Sequence, residues 1–228
     1  MVRGHDNCIT PGVLMTAAAL ITAATPVLAQ PADRYVHAGV HDLGRQLKVG
    51  DAVFIRIPLL PFRKVADTTS SWTNHVGIVV DISGGEPVIA ESRVPFSGTT
   101  SWSRFARRSD GGRVALARLK VGLDNSEQEQ LRQAARRRYG VLYDTGFNLH
   151  SRKQFCSRFV REVVYEAKGV ELGEVESFSA LLARNPQADQ KFWRVWYFGG
   201  IPWQRETVTP ASLLRDEKLE VYFDGYAG

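Results

Sequence analysis

Two adjacent β-branched stretches constrain the fold more than any other part of the sequence. The run HVGIVVDI (75–82) and the run PVIAES (87–92) are joined by SGGE, in which Gly84 and Gly85 permit a tight turn. Because β-branched residues pack well on a pleated surface, these runs predict two neighbouring buried strands that form a hairpin. Two further strands are predicted by GDAVFIRI (50–57) and RVALARLKV (113–121).

The strongest helical pattern covers residues 154–167, where apolar residues recur at helical spacing and Gly169 is placed to end the helix. A second helix is predicted to start at Ser126, which can form a capping box with Glu129, and to run to Tyr139. Shorter helices are predicted after Pro61, over 177–183 and after Thr209. Strands that cluster early, with helices interspersed, predict the α+β fold class, an antiparallel sheet packed on helices.

The first 29 residues have the pattern of a secretory signal peptide. Arg3 precedes an apolar run from Val13 to Ala24, and the small residues up to Ala29 suit cleavage before Gln30. The alternative is a segment that stays attached as an N-terminal anchor. We therefore expect a periplasmic or secreted protein with a signal peptide at 1–29, a leader at 30–46 and one globular domain at 47–228.

Cleavage after Ala29 would remove Cys8, so that of the two cysteines in the chain only Cys156 would remain. A lone thiol in an oxidising compartment indicates a reactive group or an intermolecular bridge. The alternative is a cysteine that packs as a small buried hydrophobe. Cys156 lies within a turn of the predicted helix start and on its apolar stripe. Its sulfur should therefore face the sheet, near the end of the helix that favours a thiolate.

His75 is the histidine best placed to act on this thiol, because it alone opens a strongly patterned strand. It shares a strand face with Gly77, whose missing side chain would leave room for the helix end to approach. Glu91, at the end of the neighbouring strand, is the best-placed carboxylate to orient the imidazole. The competing interpretations are a core histidine bonded to a backbone carbonyl and a solvated glutamate at a strand end.

Five segments occur in a fixed order: GDAVFIRI, SSWTNHVGIVVD, PVIAES, YDTGF and QFCSRFVREVVYEA. Together they resemble the permuted papain-like branch of the NlpC-type superfamily, the YiiX/YebB group, over about residues 47–215. The resemblance implies a circularly permuted papain-like catalytic domain, with Cys156 as nucleophile, His75 as general base and acid, and Glu91 as the orienting residue. Tyr143 and Asp144 match a Tyr-Asp pair upstream of the family's cysteine, which implies a structural or substrate-positioning role.

The function implied is that of an exported cysteine-dependent hydrolase or acyltransferase that cleaves amide or ester bonds. Two substrate classes stay open. One is a cell-wall peptide or N-acyl amino acid amide. The other is a lipid ester or thioester, because related permuted members resemble lipid acyltransferases. A different class of function is a catalytically idle envelope-binding module that has kept the fold.

The formal net charge of +5 is concentrated in SRFARRSDGGR (103–113) and RQAARRR (132–138). These clusters either contact an anionic envelope surface or form a solvated helix face. We expect no nucleic-acid partner, because no reading motif is present. We also expect no cofactor and no metal, since His37 and His41 are four residues apart but lack a third ligand.

The sequence allows two structural interpretations for each of two further segments, residues 58–73 and residues 192–203. Residues 58–73 lead directly into His75 and form either a lid over the cleft or an ordinary connection with its own helix. The aromatic stretch FWRVWYFGGIPW (192–203) either stacks on sugars or acyl chains or packs in the core.

Overall fold

A seven-stranded sheet organises the chain. The computed structural model describes Met1 and residues 36–228. The strands are β1 (Val36–Ala38), β2 (Ala52–Ile55), β3 (His75–Asp81), β4 (Val88–Glu91), β5 (Gly98–Ser101), β6 (Arg113–Leu119), β7 (Val175–Ser177), β8 (Glu206–Val208) and β9 (Leu219–Ala227). The order across the large sheet is β1-β9-β6-β2-β3-β4-β5, and β7 pairs with β8 separately. Only β1 and β9 are parallel neighbours among the pairs described, so the sheet is largely antiparallel.

Helices cover the sheet and connect its strands. They are α1 (Val40–Gln46), α2 (Leu60–Thr68), α3 (Trp102–Ala106), α4 (Asn125–Arg136), α5 (Cys156–Lys168), α6 (Phe178–Arg184), α7 (Gln190–Trp196) and α8 (Pro210–Leu214), with a 3₁₀ turn at Asp110–Gly112. Within residues 36–228, no helix is long and apolar enough to cross a membrane. The predicted α+β class is confirmed, with an antiparallel sheet packed against helices.

Both faces of the large sheet are buried. Along β2, Ala52 and Phe54 belong to the core shared with α4 and α5, whereas Val53 and Ile55 belong to the core shared with α1 and α3. The residues of β3 alternate between the two cores in the same way. A strand that is buried on both faces has no solvent-exposed face for polar side chains. Residues 75–82 are therefore almost all apolar.

Helix α5 begins at Cys156, as the periodicity of residues 154–167 predicts within two residues. Phe155 precedes it in an extended conformation with φ −130° and ψ 163°, and so marks the end of the preceding segment. The apolar stripe is buried against the sheet. Gly169 ends the helix in the left-handed region at φ 70°, where glycine is favoured.

The start of α4 differs from the predicted capping box. Asp124, not Ser126, caps the helix: its side chain accepts a hydrogen bond from the Glu127 backbone N–H, and the Glu127 carboxylate accepts one from the Asp124 backbone N–H. Asp124 and Glu127 have the same spacing as Ser126 and Glu129, so both pairs satisfy the pattern. Aspartate is as good an N-cap as serine, and the earlier pair forms the box.

Residues 36–46, which the sequence analysis places in a leader, contribute a strand and a helix to the sheet layer. Strand β1 pairs in parallel with β9, and Leu43 of α1 is fully buried. The indole N–H of Trp102 donates to the Val40 carbonyl at 2.7 Å and ties α1 to α3. The predicted signal peptide and Cys8 lie outside the described residues.

Gly225 of β9 permits the pairing of β1. A Cβ atom at this position would lie 2.1 Å from the carbonyl oxygen of Val36, which is far inside a van der Waals contact. We expect Gly225→Ala to lower the free energy of unfolding by about 1–3 kcal/mol, because backbone must move to relieve the clash. Urea unfolding measures this. Gly84→Ala is the matched control, since a Cβ there meets nothing within 4 Å, and equal loss in both variants would contradict the role of Gly225.

Candidate active site

Cys156 is the first residue of α5 and is only 3% exposed. Its sulfur is near the backbone N–H of Val76 in β3, and the hydroxyl of Tyr143 lies 4.0 Å from the sulfur. The free N–H groups at a helix start carry partial positive charge, which stabilises an anion. The position of the sulfur, facing the sheet from the helix start, therefore favours the thiolate form.

His75 is the first residue of β3 and is enclosed by aromatic rings. The centroids of Phe105 and Phe62 lie 5.7 Å and 6.4 Å from that of the imidazole. Nε2 of His75 lies 2.5 Å from Oε2 of Glu91. Nδ1 is buried and has no hydrogen-bond partner of ordinary geometry among the described residues.

The imidazole of His75 interacts with the thiol of Cys156 through charge and a side-chain contact. Since Nε2 is occupied by Glu91, Nδ1 is the ring nitrogen available to the sulfur. The contact does not have the alignment of an ordinary hydrogen bond. Catalytic pairs often have such loose contacts before substrate binds.

Asn74 fixes the backbone immediately before His75. Its side-chain oxygen accepts a hydrogen bond from the Ile57 backbone N–H at 2.7 Å, and its amide donates to the Ile57 carbonyl at 3.0 Å. Thr73 adds a hydrogen bond from its hydroxyl to the Ile55 carbonyl at 2.8 Å. These buried bonds extend the pairing of β2 and β3 past the strand end, and they hold the imidazole in place.

The predicted reason for Gly77 is wrong. A Cβ atom at Gly77 would lie 2.5 Å from Ile89 and 3.0 Å from the ring of Phe105, and these residues are in the core opposite to α5. The glycine therefore makes room for Phe105, which packs against the imidazole of His75. Helix α5 packs on the other face of β3, and the Cys156 sulfur reaches His75 where the strand begins.

Glu91 is completely buried at the end of β4 and is held by two arginines. Nη2 of Arg108 donates to both carboxylate oxygens at 2.8 Å, and Nε of Arg93 lies 3.5 Å from Oε1. A buried carboxylate needs such compensation, because its transfer out of water is costly. The role of Arg108 is not predicted from the sequence, where the basic cluster 103–113 is interpreted as an envelope contact or a solvated helix face. A buried strand-end glutamate facing one histidine was itself a signal that a second cation was required.

The charges of this group shift its pKa values in complementary directions. Burial alone would lower the pKa of His75, but the charge and hydrogen-bonding contact of Cys156, together with Glu91, raise it to about 9. Burial alone would raise the pKa of Cys156, but His75, the Val76 backbone N–H and the Tyr143 hydroxyl lower it below its usual value. Glu91 also has a lowered pKa: His75 and Arg108 outweigh the effect of its burial. These directions favour a thiolate–imidazolium pair.

Tyr143 and Asp144 are adjacent in the chain, but Tyr143 contacts the Cys156 sulfur and Asp144 contacts the loop before α5. The phenol of Tyr143 is buried next to the Cys156 sulfur, and burial and the nearby Cys156 charge raise its pKa well above 10, so the hydroxyl keeps its proton. The carboxylate of Asp144 accepts hydrogen bonds from the backbone N–H of Gly146 and Asn148 and from the hydroxyl of Ser151. Asp144 thus shapes the loop before α5, whereas Tyr143 belongs to the cleft.

An apolar cleft opens next to the thiol. It lies between α2 on one side and α6 and α7 on the other, and its apolar walls include Val65, Phe147, Phe178, Leu181 and Trp193. The space open to water is about 40 Å³, which is room for one or two water molecules. The structure therefore leaves little open space beside the sulfur.

Polar contacts hold the two walls together. Nζ of Lys64 lies 2.8 Å from the carboxylate of Asp189, and the indole N–H of Trp193 donates to the Thr68 hydroxyl at 2.8 Å. Both bonds join α2 to α7 or to the residue that caps it. The lid role predicted for residues 58–73 stays a prediction, with these contacts as the ones that opening would break.

The remaining described histidines lie away from the thiol and have other partners. His37 stacks on Tyr226 with ring centroids 5.2 Å apart, Nδ1 of His41 lies 2.7 Å from Arg45, and His150 pairs with Glu206. Within residues 36–228, no three His, Cys, Asp or Glu side chains are grouped in a way that could hold a metal ion.

The two basic clusters are largely engaged within the protein. Arg113 pairs with Asp224, while Arg137 and Arg138 both pair with Glu166. Such pairs neutralise much of the local positive charge. Contact of these clusters with an anionic surface stays a prediction.

A family model, a relative and a solved structure are similar to this chain. The family model described as "Permuted papain-like amidase enzyme, YaeF/YiiX, C92 family" matches residues 46–222. The uncharacterized protein YiiX of Escherichia coli (strain K12) is 26% identical over 174 residues, which are 76% of this chain and 85% of YiiX. A crystal structure described as that of the metalloprotein YiiX from Escherichia coli O157:H7 superposes with a TM-score of 0.73 at 24% identity, covering 79% of this chain and 99% of that one.

The structural likeness shows a shared fold, and the family match extends over most of the domain that carries Cys156, His75 and Glu91. The chain therefore belongs to the C92 family of permuted papain-like amidases, and its enzymatic class is that of a cysteine hydrolase.

Proposed function

We propose that the protein cleaves an acyl bond with Cys156 as nucleophile, His75 as general acid and base, and Glu91 as the residue that orients the imidazole. One observation carries the proposal. The thiol, the imidazole and the carboxylate form a buried row in which His75 is the central member, and Arg108 closes its far end. A row of this kind is what nucleophilic catalysis by a thiol requires.

The chemistry has two steps. The thiolate of Cys156 attacks the carbonyl carbon, and the bond from that carbon to the leaving nitrogen or oxygen breaks while Nδ1–H of His75 gives its proton to the leaving atom. The acyl group is then a thioester on the sulfur. Water, or a hydroxyl or amine acceptor in a transferase, loses a proton to His75 and attacks the thioester, which restores the thiolate–imidazolium pair.

Two donors are placed to stabilise the oxyanion. The backbone N–H of Cys156 is at the start of α5, where the helix dipole favours negative charge. The Tyr143 hydroxyl is protonated and close to the sulfur, so it supplies the second hydrogen bond as the carbonyl oxygen approaches. This role goes beyond the structural or positioning role expected from the sequence.

The apolar walls of the cleft favour binding of a substrate that has an apolar group next to the scissile bond. Its walls are aromatic and aliphatic, and such a surface gains most from burying an acyl chain or an apolar side chain. Among the substrate classes considered, an N-acyl amino acid amide or a lipid ester fits these walls better than a polar cell-wall peptide. The amide is our first choice because the family is one of amidases.

The pH dependence of thiol alkylation tests the nucleophile directly. Iodoacetamide should alkylate Cys156 well below the ordinary thiol pKa of about 8.5, since imidazolium stabilises the thiolate. In His75→Ala the apparent pKa should rise by at least about 1 unit, so the rate at neutral pH falls about ten-fold or more.

Turnover should also fall above about pH 9, where His75 loses the proton that the leaving group needs.

His150→Ala is the control, because this exposed histidine pairs with Glu206 and not with the thiol. A wild-type thiol that stays inert until the protein unfolds would favour the idle binding module over the enzyme.

Arg108 is proposed as a positioning residue that keeps Glu91 ionised. Arg108→Met should raise the pKa of Glu91 and thereby make the protonated form of His75 less stable. Alkylation of Cys156 at neutral pH should then slow by about ten-fold, the effect of a one-unit rise in the pKa of the thiol. The alkylation rate of Arg108→Lys should lie between those of the wild type and Arg108→Met, since lysine keeps the charge but not the guanidinium that contacts both carboxylate oxygens. Arg107→Met is the control, being the exposed neighbour. Identical alkylation profiles for the variants at 107 and 108, with both proteins folded, would refute this role.

We also propose export of the protein through residues 1–29, which places the enzyme in the periplasm or outside the cell. The support is the arrangement of Arg3, the apolar run and the small residues before Gln30. N-terminal sequencing of protein from the periplasmic or extracellular fraction should then give Gln30 as the first residue. An intact N-terminus on membrane-bound protein would indicate the uncleaved anchor.

A further inference from the structure

The segment that follows Asp189 carries three exposed large apolar side chains. We name residues 190–205, QKFWRVWYFGGIPWQR, the aromatic segment; it contains α7 and the turn after it. Phe198 is 100% exposed, Val195 is 79% exposed and Trp203 is 41% exposed. Scattered single apolar residues on a surface are ordinary, but three within nine positions call for an explanation.

The other side of the aromatic segment is fixed to the protein. Trp193 is buried in the core next to the cleft, and the indole N–H of Trp196 donates to the Thr145 carbonyl at 2.9 Å. The Tyr197 hydroxyl donates to the Gly146 carbonyl at 3.1 Å. The segment thus has an inner row with polar and apolar partners and an outer row, Val195 and Phe198, that projects into solvent.

Phe198 has a backbone conformation that its side chain does not favour. Its φ is 53°, in the left-handed region that glycine usually occupies at the end of a helix. The backbone N–H of Phe198 still donates to the Val195 carbonyl and closes the helix. Within the described protein the phenyl ring gains no burial in exchange for this strain. An external apolar environment would supply that gain.

The charge of the aromatic segment has one sign. It contains Lys191, Arg194 and Arg205 and no aspartate or glutamate. Lys191 and Arg194 are exposed on α7, whereas Arg205 donates to the Gly146 carbonyl and lies over the Tyr197 ring. The acids at either end are already paired, Asp189 with Lys64 and Glu206 with His150. Apolar and aromatic side chains among exposed cations are the composition of segments that lie in the interface of an anionic bilayer.

We propose that the aromatic segment docks the protein on an anionic phospholipid membrane. Phe198 and Val195 enter the boundary between head groups and acyl chains, while Lys191 and Arg194 contact phosphates. Trp193, on the inner side of the same helix, lines the cleft next to Cys156. Docking therefore brings the cleft close to the lipid surface, where acylated molecules are held.

The test uses the full mature chain with Cys156→Ser, so that binding is measured without catalysis. Flotation with phosphatidylcholine vesicles, with and without phosphatidylglycerol, should show binding only to the anionic vesicles. Val195→Ser with Phe198→Ser should weaken binding at least about ten-fold, as expected for two buried apolar side chains. Val121→Ser with Tyr165→Ser is the matched control, since these residues are 66% and 53% exposed outside the segment. Lys191→Glu with Arg194→Glu should abolish the preference for phosphatidylglycerol.

Three results would overturn the proposal. The first is absence of binding to anionic vesicles at moderate salt. The second is binding that the substitutions at 195 and 198 leave unchanged. The third is a dimer of the Cys156→Ser protein in solution that these substitutions dissociate, which would assign the outer row to contact with a second copy of the chain. Thermal unfolding of each variant checks the fold, and none of these outcomes bears on the hydrolase chemistry, because the thiol is absent throughout.

Discussion

The site depends on a buried row of alternating charge: the guanidinium of Arg108, the carboxylate of Glu91, the imidazole of His75 and the thiol of Cys156. The ionised forms of Glu91, His75 and Cys156 would each be unfavourable alone, because a buried isolated charge loses its hydration. Glu91 raises the pKa of His75, and the imidazolium lowers the pKa of the thiol. Removing the end of the row should therefore change the reactivity of the sulfur at the other end.

The fold supplies each member of this row from a different element. Strands β3 and β4 are antiparallel neighbours, so the start of β3 and the end of β4 lie at the same end of the sheet. His75 contacts Glu91 there. The turn after α3 brings Arg108 to the same end of the sheet. Helix α5 packs on the sheet face opposite to α3, with Cys156 at its first position. Because both faces of the sheet are buried, small sliding of these elements is resisted by two cores.

Much of this site could be predicted from the sequence. Helix periodicity predicts Cys156 at a helix start, and the two β-branched runs predict His75 and Glu91 at adjacent strand ends, because these are local patterns. Arg108 could not be separated from its neighbours Arg104 and Arg107 by pattern, since only the path of the chain after α3 determines which arginine points inward. The function of Gly77 was misjudged for a similar reason: its neighbour Phe105 comes from a distant part of the chain.

Strand β9 and strand β1 were also missed, because their pairing is long-range and parallel. The sequence of β9, LEVYFDGYA, contains charged residues and a glycine that lower its strand signal, although seven of its residues pair with β6. Val36–Ala38 is three residues long, too short for a periodicity to be recognised. Tertiary pairing, not local preference, forms both strands.

The proposed catalysis requires that His75 and Cys156 form an imidazolium–thiolate pair in the folded protein. The most direct measurement is an NMR titration of the His75 imidazole in the wild-type protein and in Cys156→Ser. We expect a His75 pKa of about 9 in the wild type and a pKa well below that once the thiolate is removed, because the effect of burial then dominates. An imidazole that titrates at the same pH in both proteins would contradict the account.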